Sequence, residues 1–441
     1  GEFLTSHSVI KQSDVKEVPM PFHPGSAVLV LFGALLLPVG ANGAAADPVC
    51  RGEAATLVGV PGSSVQGTEE DDVIVSNGAL EVTAVGGDDL ICVTGRASRT
   101  ATTTVYAGRG VDTVDTAAAT GPSTYVDLGG GRDLFFGGSH ADFVQLSGGL
   151  DTVDTGGGND TVQRGNGTFL DDHVKLGKGS DTFLYGPGFV EGAAKPSPDG
   201  GPGTDRIVLT DGERFDAVRG LGYRDGMAYY SWVHFEHYAI GNPDKGALFV
   251  GSPRSEVVEI TGSGAPITLR MGGGDDILKT GVSSGRAHRF ALFGGPGRDG
   301  LEIDGRLSPG VSVVADLPAH RVSVSVPSRD TVTGSIHDVQ DVGAFSVARA
   351  TMLGNHSNNR LVVRHGCRSV LRGGAGNDQL FALFARDATD CGAAMHGGDG
   401  NDLLRGGATD DVLVGDAGMD LAYGGAGNDR CRAETVKLCE S

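Results

Sequence analysis

A nine-residue repeat constrains the fold of this 441-residue chain more than any other feature. In rows of nine, residues 128–163 carry Asp at the sixth position and an apolar residue at the eighth position of all four rows. Residues 397–432 repeat the pattern over four further rows, and glycine recurs at positions one, two and four of both blocks. A period of nine fits no helix, and it predicts short strands that are joined by turns and stacked in coils.

Each nine-residue row predicts a turn followed by a strand. Three glycines permit backbone angles that other residues avoid, and the x-apolar-x triplet that follows Asp is a short strand with one inward side chain. Two rows make a coil of 18 residues, so Asp133 should lie over Asp151 and Asp402 over Asp420, about 4.8 Å apart. The repeat therefore predicts an all-β fold: a parallel β-roll or right-handed β-helix solenoid with nine-residue rows.

Similar single rows occur outside the two blocks. They are residues 67–75, 84–92, 107–115, 176–184, 200–208, 271–279, 294–302 and 373–381. Two further rows keep the frame but place Glu256 or Asn359 at the sixth position. Residues 164–175 add three residues to the pattern, and we expect this insertion to break the stack between Asp160 and Asp181.

Composition narrows the classes of function. The chain has 74 Gly, 41 Asp and only 14 Glu, with a formal net charge of −20. Glycine and aspartate favour turns, which excludes a coiled coil, and the acidic balance argues against nucleic acid as a partner. Carboxylates stacked at strand spacing repel one another unless a cation lies between them. Oxygen ligands at several angles suit Ca²⁺ better than Mg²⁺, so the rows predict multiple calcium sites.

The rows resemble the RTX, or haemolysin-type, calcium-binding nonapeptide G-G-x-G-x-D-x-U-x, most closely over 107–184 and 373–432. The resemblance implies a secreted bacterial protein in which the sixth-position carboxylates bind Ca²⁺ and glycine carbonyls complete the shell. The implied metal ligands are Asp112, Asp133, Asp142, Asp151, Asp160, Asp181, Asp205, Asp276, Asp299, Asp378, Asp402, Asp411, Asp420 and Asp429. Rows that depart from the motif should bind calcium more weakly. The departures are His140 and Thr409 at position four, and Leu128, Leu146 and Thr155 at position one. The alternative is a metal-free solenoid in which Asp caps the turns.

The N-terminal region indicates export. Residues 27–37 form an apolar run too short to span a membrane, and Ala44–Ala46 offers a cleavage site, so residues 1–46 read as a signal peptide region with Met20 as an alternative start. The alternative is a buried strand. Six cysteines fit an oxidising compartment, and proximity in sequence favours the pairs 50–92, 367–391 and 431–439. We expect a secreted protein with no membrane span in its mature form.

We divide the remainder into N-terminal coils (47–106), a calcium block (107–190), metal-poor degenerate coils (191–365) and a C-terminal calcium block (366–441). Residues 209–250 hold Trp232 and the densest aromatic residues. They are interpreted as coil core, with a small separate domain or a carbohydrate-binding surface as alternatives.

Catalytic motifs are weak. The sequence HFEH at 234–237 differs by one residue from a zinc-binding H-x-x-E-H motif, and GVSSG at 281–285 lacks the strand-turn-helix context of a nucleophile elbow. We therefore predict a secreted, calcium-binding β-solenoid that is not an enzyme and whose folding depends on extracellular Ca²⁺. The alternatives are an adhesin, matrix or glycan-binding protein with a cell-surface partner, and a polysaccharide-active enzyme on a β-helix.

Overall fold

The computed structural model describes residues 48–96, 98–165, 172–185, 198–210, 212–241, 245–262, 265–281, 289–305, 310–327, 331–384 and 391–439. They belong to one compact unit, Asp47–Ser441. Within these ranges there is no helix, and mostly parallel strands wind into a β-solenoid of about 16 turns. The predicted all-β parallel β-roll is confirmed.

One face of the solenoid is a single parallel sheet, the long sheet, whose strands pair with their neighbours one coil away. Its strands are Ser64–Gln66, Glu81–Thr83, Thr103–Tyr106, Ser123–Asp127, Ala141–Leu146, Thr161–Arg164, Thr182–Leu184, Arg206–Thr210, His237–Gly241, Val257–Gly262, Ile277–Gly281, Gly300–Asp304, Asp341–Phe345, Arg360–Arg364, Gln379–Leu383, Leu403–Arg405, Leu421–Tyr423 and Thr435–Lys437.

The opposite face is divided into two sheets. The N-terminal sheet consists of Leu57–Val58, Val73–Val75, Leu90–Cys92, Thr113–Asp115, Leu134–Phe136, Thr152–Asp154 and His173–Lys175. The C-terminal sheet consists of Arg214–Asp216, Leu221–Arg224, Met227–Ser231, Ala247–Val250, Ile267–Arg270, Arg289–Phe293, Ser312–Asp316, Arg321–Ser325, Val332–His337, Arg349–Leu353, Ser369–Ala375, Ala393–Asp399, Val412–Ala417 and Arg430–Arg432. Two small pairs complete the strands: Val49–Cys50 with Glu53–Ala54, and Gly130–Gly131 with Gly148–Gly149.

The core is built as the eighth-position pattern predicts. Phe135 pairs with Val153 on the N-terminal sheet, and Val144 pairs with Val162 on the long sheet. All four side chains are buried inside the solenoid. Burying a side chain of this size contributes about 1.5–3 kcal/mol, so a single inward residue per row suffices when many rows stack.

The insertion at 164–175 does not break the stack, and that expectation was wrong. The Asp160 backbone N–H donates to Oδ1 of Asp181 at 2.8 Å, and Thr161 pairs with Thr182 in the adjacent strand. Register is set by which side chains must face the core, so extra residues in the connection between two strands need not shift the strands themselves.

Two antiparallel insertions on the C-terminal sheet were not predicted. The strand Leu221–Arg224 pairs antiparallel with both of its neighbours, and so does Arg321–Ser325, which contains the alternating run VSVSV. Alternation correctly indicated a strand there, but alternation is the same in both directions and does not reveal the sense of pairing.

The aromatic residues of 209–250 belong to the core. Trp232 is 2% exposed, and Tyr230, Phe235 and Tyr238 are also buried. The core interpretation is confirmed for these four rings.

Three disulfides join the expected pairs, Cys50–Cys92, Cys367–Cys391 and Cys431–Cys439. The export region 1–46 and Met20 lie outside the described residues. In the described part of the chain, no helix is long and apolar enough to cross a membrane.

Candidate metal centre

A ladder of polar side chains lies at or just before the start of the long-sheet strands, from Ala141–Leu146 onward. At each step, a backbone N–H donates to the side-chain oxygen of the residue one coil later, at 2.7–3.1 Å. The first run is Asp142, Asp160, Asp181, Asp205 and Glu236; the second is Glu256, Asp276, Asp299 and Gln340; the third is Asn359, Asp378, Asp402, Asp420 and Glu434.

The opposite turns carry the same arrangement. Before the N-terminal sheet the ladder is Asp72, Asp89, Asp112, Asp133, Asp151 and Asp172, with N–H to Oδ1 distances of 2.8–3.0 Å. Before the C-terminal sheet, the Asp411 N–H donates to Oδ1 of Asp429 at 2.9 Å. All fourteen predicted carboxylates therefore lie on a ladder, and the predicted stacking of Asp133 on Asp151 and of Asp402 on Asp420 is confirmed.

Only one oxygen of most ladder carboxylates is used by these bonds. In twelve ladder side chains, the second carboxylate oxygen is buried and accepts no hydrogen bond from any described residue. They are Asp89, Asp112, Asp133, Asp160, Asp181, Asp205, Glu256, Asp276, Asp299, Asp378, Asp402 and Asp420. Leaving a buried acceptor unsatisfied costs about 1–3 kcal/mol, and more when it is charged. Such a repeated deficit indicates an electropositive partner.

In the rows that begin with glycine, the unpaired oxygen lies against that first-position glycine. A Cβ placed on Gly373 would collide with Oδ2 of Asp378 and with the carbonyl oxygen of Gly397 in the next coil. The same collision would occur at Gly397, where Oδ2 of Asp402 meets the next carbonyl. Glycine is needed there because the space is shared by oxygens from two coils.

This donor set fits Ca²⁺, which takes six to eight oxygens from carboxylates and carbonyls. Among the described residues, no three His, Cys, Asp or Glu side chains gather at one point. A cation bound here would therefore rely on main-chain carbonyls as much as on carboxylates. By these contacts, Asp378 and Asp402 would hold Ca²⁺ together with the carbonyls of the glycine turns, and the ion would neutralise the buried charge.

Electrostatics supports the same interpretation. Burial raises the pKa of Asp133 to about 8, against the hydrogen bond from Asp112, and charge repulsion from Asp151 and Asp112 adds to the rise. Burial likewise raises the pKa values of Asp89 and Asp276 to about 7. When these carboxylates are ionised and have no counter-ion, their buried charge destabilises the folded state.

Two predicted ligands are already satisfied by the protein. Asp142 accepts from the hydroxyls of Thr116 and Thr124 and lies 3.1 Å from Nε2 of His140. Asp411 accepts the N–H of Gly407 at 2.9 Å through Oδ2 and that of Ala393 at 2.7 Å through Oδ1. Both rows lack the fourth-position glycine, and weaker calcium binding in such rows stays a prediction.

Several ladder positions were not among the predicted ligands. Asp72 and Asp89 occupy the sixth position of rows already recognised, so their row position was a sufficient signal. Asp172 lies in the insertion, and Arg164 neutralises it through Nε at 3.0 Å and Nη2 at 2.5 Å. Glu236, Gln340 and Glu434 fall outside any row, and only the folded chain places them on the ladder.

A second ladder one residue earlier was also missed. The Oδ1 of Asn377 accepts the N–H of Asn401, and the Oδ1 of Asn401 accepts that of Met419, at 2.8 and 2.9 Å. Asp410 accepts from Asn428 in the same way, at 2.8 Å. These side chains are exposed at the fifth position of the rows. The recurrence of Asn or Asp before the sixth-position Asp was the available signal.

Comparison with known proteins supports the interpretation of the rows. A search of curated proteins finds no match to the chain. The model of the RTX calcium-binding nonapeptide repeat matches in four copies, over residues 127–162, 369–387 and 396–431. These segments contain the ladder carboxylates of both regular blocks. The chain thus carries RTX calcium-binding nonapeptide repeats, wound into a parallel β-roll.

Proposed function

We propose that this protein is a secreted β-solenoid that folds and is stabilised by binding several Ca²⁺ ions outside the cell, and that it acts without catalysis. The observation that carries the proposal is the row of buried carboxylate oxygens without hydrogen-bond partners at the glycine turns. A chain that buries so many carboxylates is unstable without cations, and calcium binding compensates for this cost.

Because the calcium concentration differs between the inside and the outside of a cell, calcium-dependent folding would be switched on by export. Extracellular calcium modules have dissociation constants of about 10⁻⁴–10⁻³ M. At about 1 mM Ca²⁺, each such site stabilises the folded chain by about 0.4–1.4 kcal/mol, and the contributions of several sites add. In a cytosol with little free calcium, the same sites contribute nothing and the carboxylates repel.

The disulfides support an extracellular location. All six cysteines are paired, and none is free among the described residues. Such bonds persist in oxidising compartments and are rare in the cytosol.

A non-catalytic role is supported by the weakness of the catalytic motifs. Nδ1 of His234 contacts Oδ1 of Asp199 at 2.7 Å, whereas Nε2 of His237 lies 3.6 Å from Oε2 of Glu259. The two histidines of HFEH thus serve different carboxylates. Residues 282–285 of GVSSG lie outside the described residues.

The test is a calcium titration of the purified chain with its disulfides intact, followed by far-ultraviolet circular dichroism and thermal unfolding. We expect β-sheet signal and melting temperature to rise between chelator and ~5 mM Ca²⁺, with little response to the same concentration of Mg²⁺. Elemental analysis should find several calcium ions per chain. Unchanged signal and melting temperature across the titration would refute calcium-dependent folding.

A further inference from the structure

The outer face of the long sheet contains a groove that the calcium sites do not use. It crosses the strands Ile277–Gly281, Gly300–Asp304, Asp341–Phe345 and Arg360–Arg364, and encloses about 330 Å³. This is large enough for a small ligand or part of a chain. All residues that line it are described.

The groove exists because one strand lacks an outward side chain. Gly343 lies between Glu302 and Val362 in the register of adjacent strands. The half-buried ring of Phe345 folds back over this gap, where a Cβ on Gly343 would lie 2.9 Å from Cε2 and 3.1 Å from Cζ. The floor is therefore an aromatic ring on bare backbone, an apolar surface within a polar sheet face.

The acidic residues of the groove already have partners. Arg298 forms a two-point ion pair with Asp341, with distances of 3.1 Å from Nε and 2.7 Å from Nη2. Glu302 lies 3.6 Å from Nζ of Lys279. On the outer rim, Oδ1 of Asp275 accepts the backbone N–H of Arg298 at 2.9 Å.

Two guanidinium groups that line the groove have no such partner among the described residues. Arg364, which pairs with Phe345 in the register of the two strands, is exposed and forms no ion pair with any described residue. The Arg360 guanidinium lies over the ring of Phe381 in the adjacent strand, 5.7 Å from the centroid, and forms no ion pair with any described residue. Guanidinium groups bind carboxylates through two parallel hydrogen bonds, so two unpaired ones in a groove favour an anionic ligand. A sugar ring presents C–H groups that pack on an aromatic floor and hydroxyls that bond to the polar walls.

We propose that this groove binds an acidic saccharide, with separate carboxylates of the chain held by Arg360 and Arg364, which stand four residues apart on one strand, and a sugar ring packed against Phe345. The inference does not depend on the calcium proposal, because the groove lies on a sheet face and its ligand contacts are side chains. The site would give the solenoid a partner in an extracellular polysaccharide that contains uronic acids.

The experiment measures binding of a uronic-acid tetrasaccharide to the full chain by isothermal titration calorimetry. Uronates themselves bind calcium, so every arm uses the same saturating Ca²⁺ concentration. The test variant is R360Q/R364Q. The control is R289Q, which removes an exposed arginine from the C-terminal sheet. The carboxyl-reduced tetrasaccharide and acetate serve as ligand controls, and melting temperatures check folding.

We expect saturable binding that weakens by about tenfold or more in R360Q/R364Q and is unchanged in R289Q. The reduced tetrasaccharide should bind much more weakly, and acetate should not compete at similar concentrations. Equal binding by R360Q/R364Q, or equal binding of the reduced sugar, would overturn the proposal. Acetate that competes as well as the tetrasaccharide would show a simple anion site and would also overturn it. Loss of binding in F345L with folding intact would support the role of the ring.

Discussion

The backbone N–H of Asp402 donates to Oδ1 of Asp420, one coil later, at 2.8 Å. In the preceding residue the direction is reversed, because Oδ1 of Asn401 accepts the N–H of Met419 from the later coil at 2.9 Å. These two coils are therefore joined by two side-chain to backbone bonds of opposite direction. This arrangement uses one oxygen of each carboxylate for joining coils and leaves the other for a cation.

Replacing Asp402 by Asn should separate these two roles. The amide keeps an acceptor for the Asp378 N–H and removes the charge, and Gln340, which accepts the Asp299 N–H, shows that the ladder tolerates an amide acceptor. We expect Asp402→Asn to be more stable than the wild type in chelator and less stable in calcium, by about 1–2 kcal/mol in each case. Urea unfolding in chelator and in calcium measures the direction of both stability changes.

The matched control is Asp410→Asn. Asp410 is an exposed carboxylate whose ladder position carries Asn in neighbouring rows, and it accepts the N–H of Asn428. The control should change stability little under either condition. If Asp402→Asn behaved like this control, the Asp402 carboxylate would not be a calcium ligand.

The calcium-free chain should lose stability as the pH rises. The pKa of Asp133 is raised from 3.8 to about 8, and that of Asp276 to about 7, so the folded state holds protons that the unfolded state releases. The stabilisation that results from a raised folded-state pKa is fully present below about pH 4. It is lost as the pH rises through the folded-state pKa values. Unfolding free energy in chelator should therefore be higher at pH 5 than at pH 7.5.

Saturating calcium should reverse this dependence, because Ca²⁺ binds the ionised carboxylates. Denaturant titrations at the two pH values, with and without calcium, measure whether the two pH dependences of stability have opposite directions. A calcium-free chain that becomes more stable from pH 5 to 7.5 would contradict the assigned direction of the pKa shifts.

Gly373→Ala should damage a calcium site by steric exclusion. The new Cβ would overlap Oδ2 of Asp378 and the carbonyl of Gly397. We expect a loss of about 1–3 kcal/mol in stability from overpacking and one fewer calcium ion bound. Gly148→Ala is the control, because a Cβ at that glycine meets nothing within 4 Å. Equal calcium content and stability in the two variants would argue against a cation in the space beside Gly373.

The fifth-position ladder should stabilise the chain whether or not calcium is present. Asn401→Ala removes the acceptor for the Met419 N–H and should cost about 1 kcal/mol in both chelator and calcium. Met419→Ala leaves that bond intact at a side chain 77% exposed and should have little effect. Thermal unfolding of both variants tests this, and a cost seen only in calcium would assign Asn401 to the metal sites instead.

The nine-residue period by itself determined the parallel solenoid, the inward position of residues such as Phe135, and the stacking of Asp133 on Asp151, because a fixed period repeats the same turn and strand at every coil. It could not place Glu236 or Gln340, which join the ladder 31 and 41 residues from their partners Asp205 and Asp299. Such positions depend on where the chain returns after an insertion, and strand pairing decides that.

Tertiary structure alone also decided how each carboxylate is used. Asp142 and Asp402 occupy the same row position, yet Thr116 and Thr124 satisfy the first while the second keeps a buried oxygen without a partner. The groove above Gly343 likewise arises only when strands about 20–40 residues apart in sequence lie side by side. A local pattern specifies what each residue can offer, but only packing determines which neighbouring groups take it up.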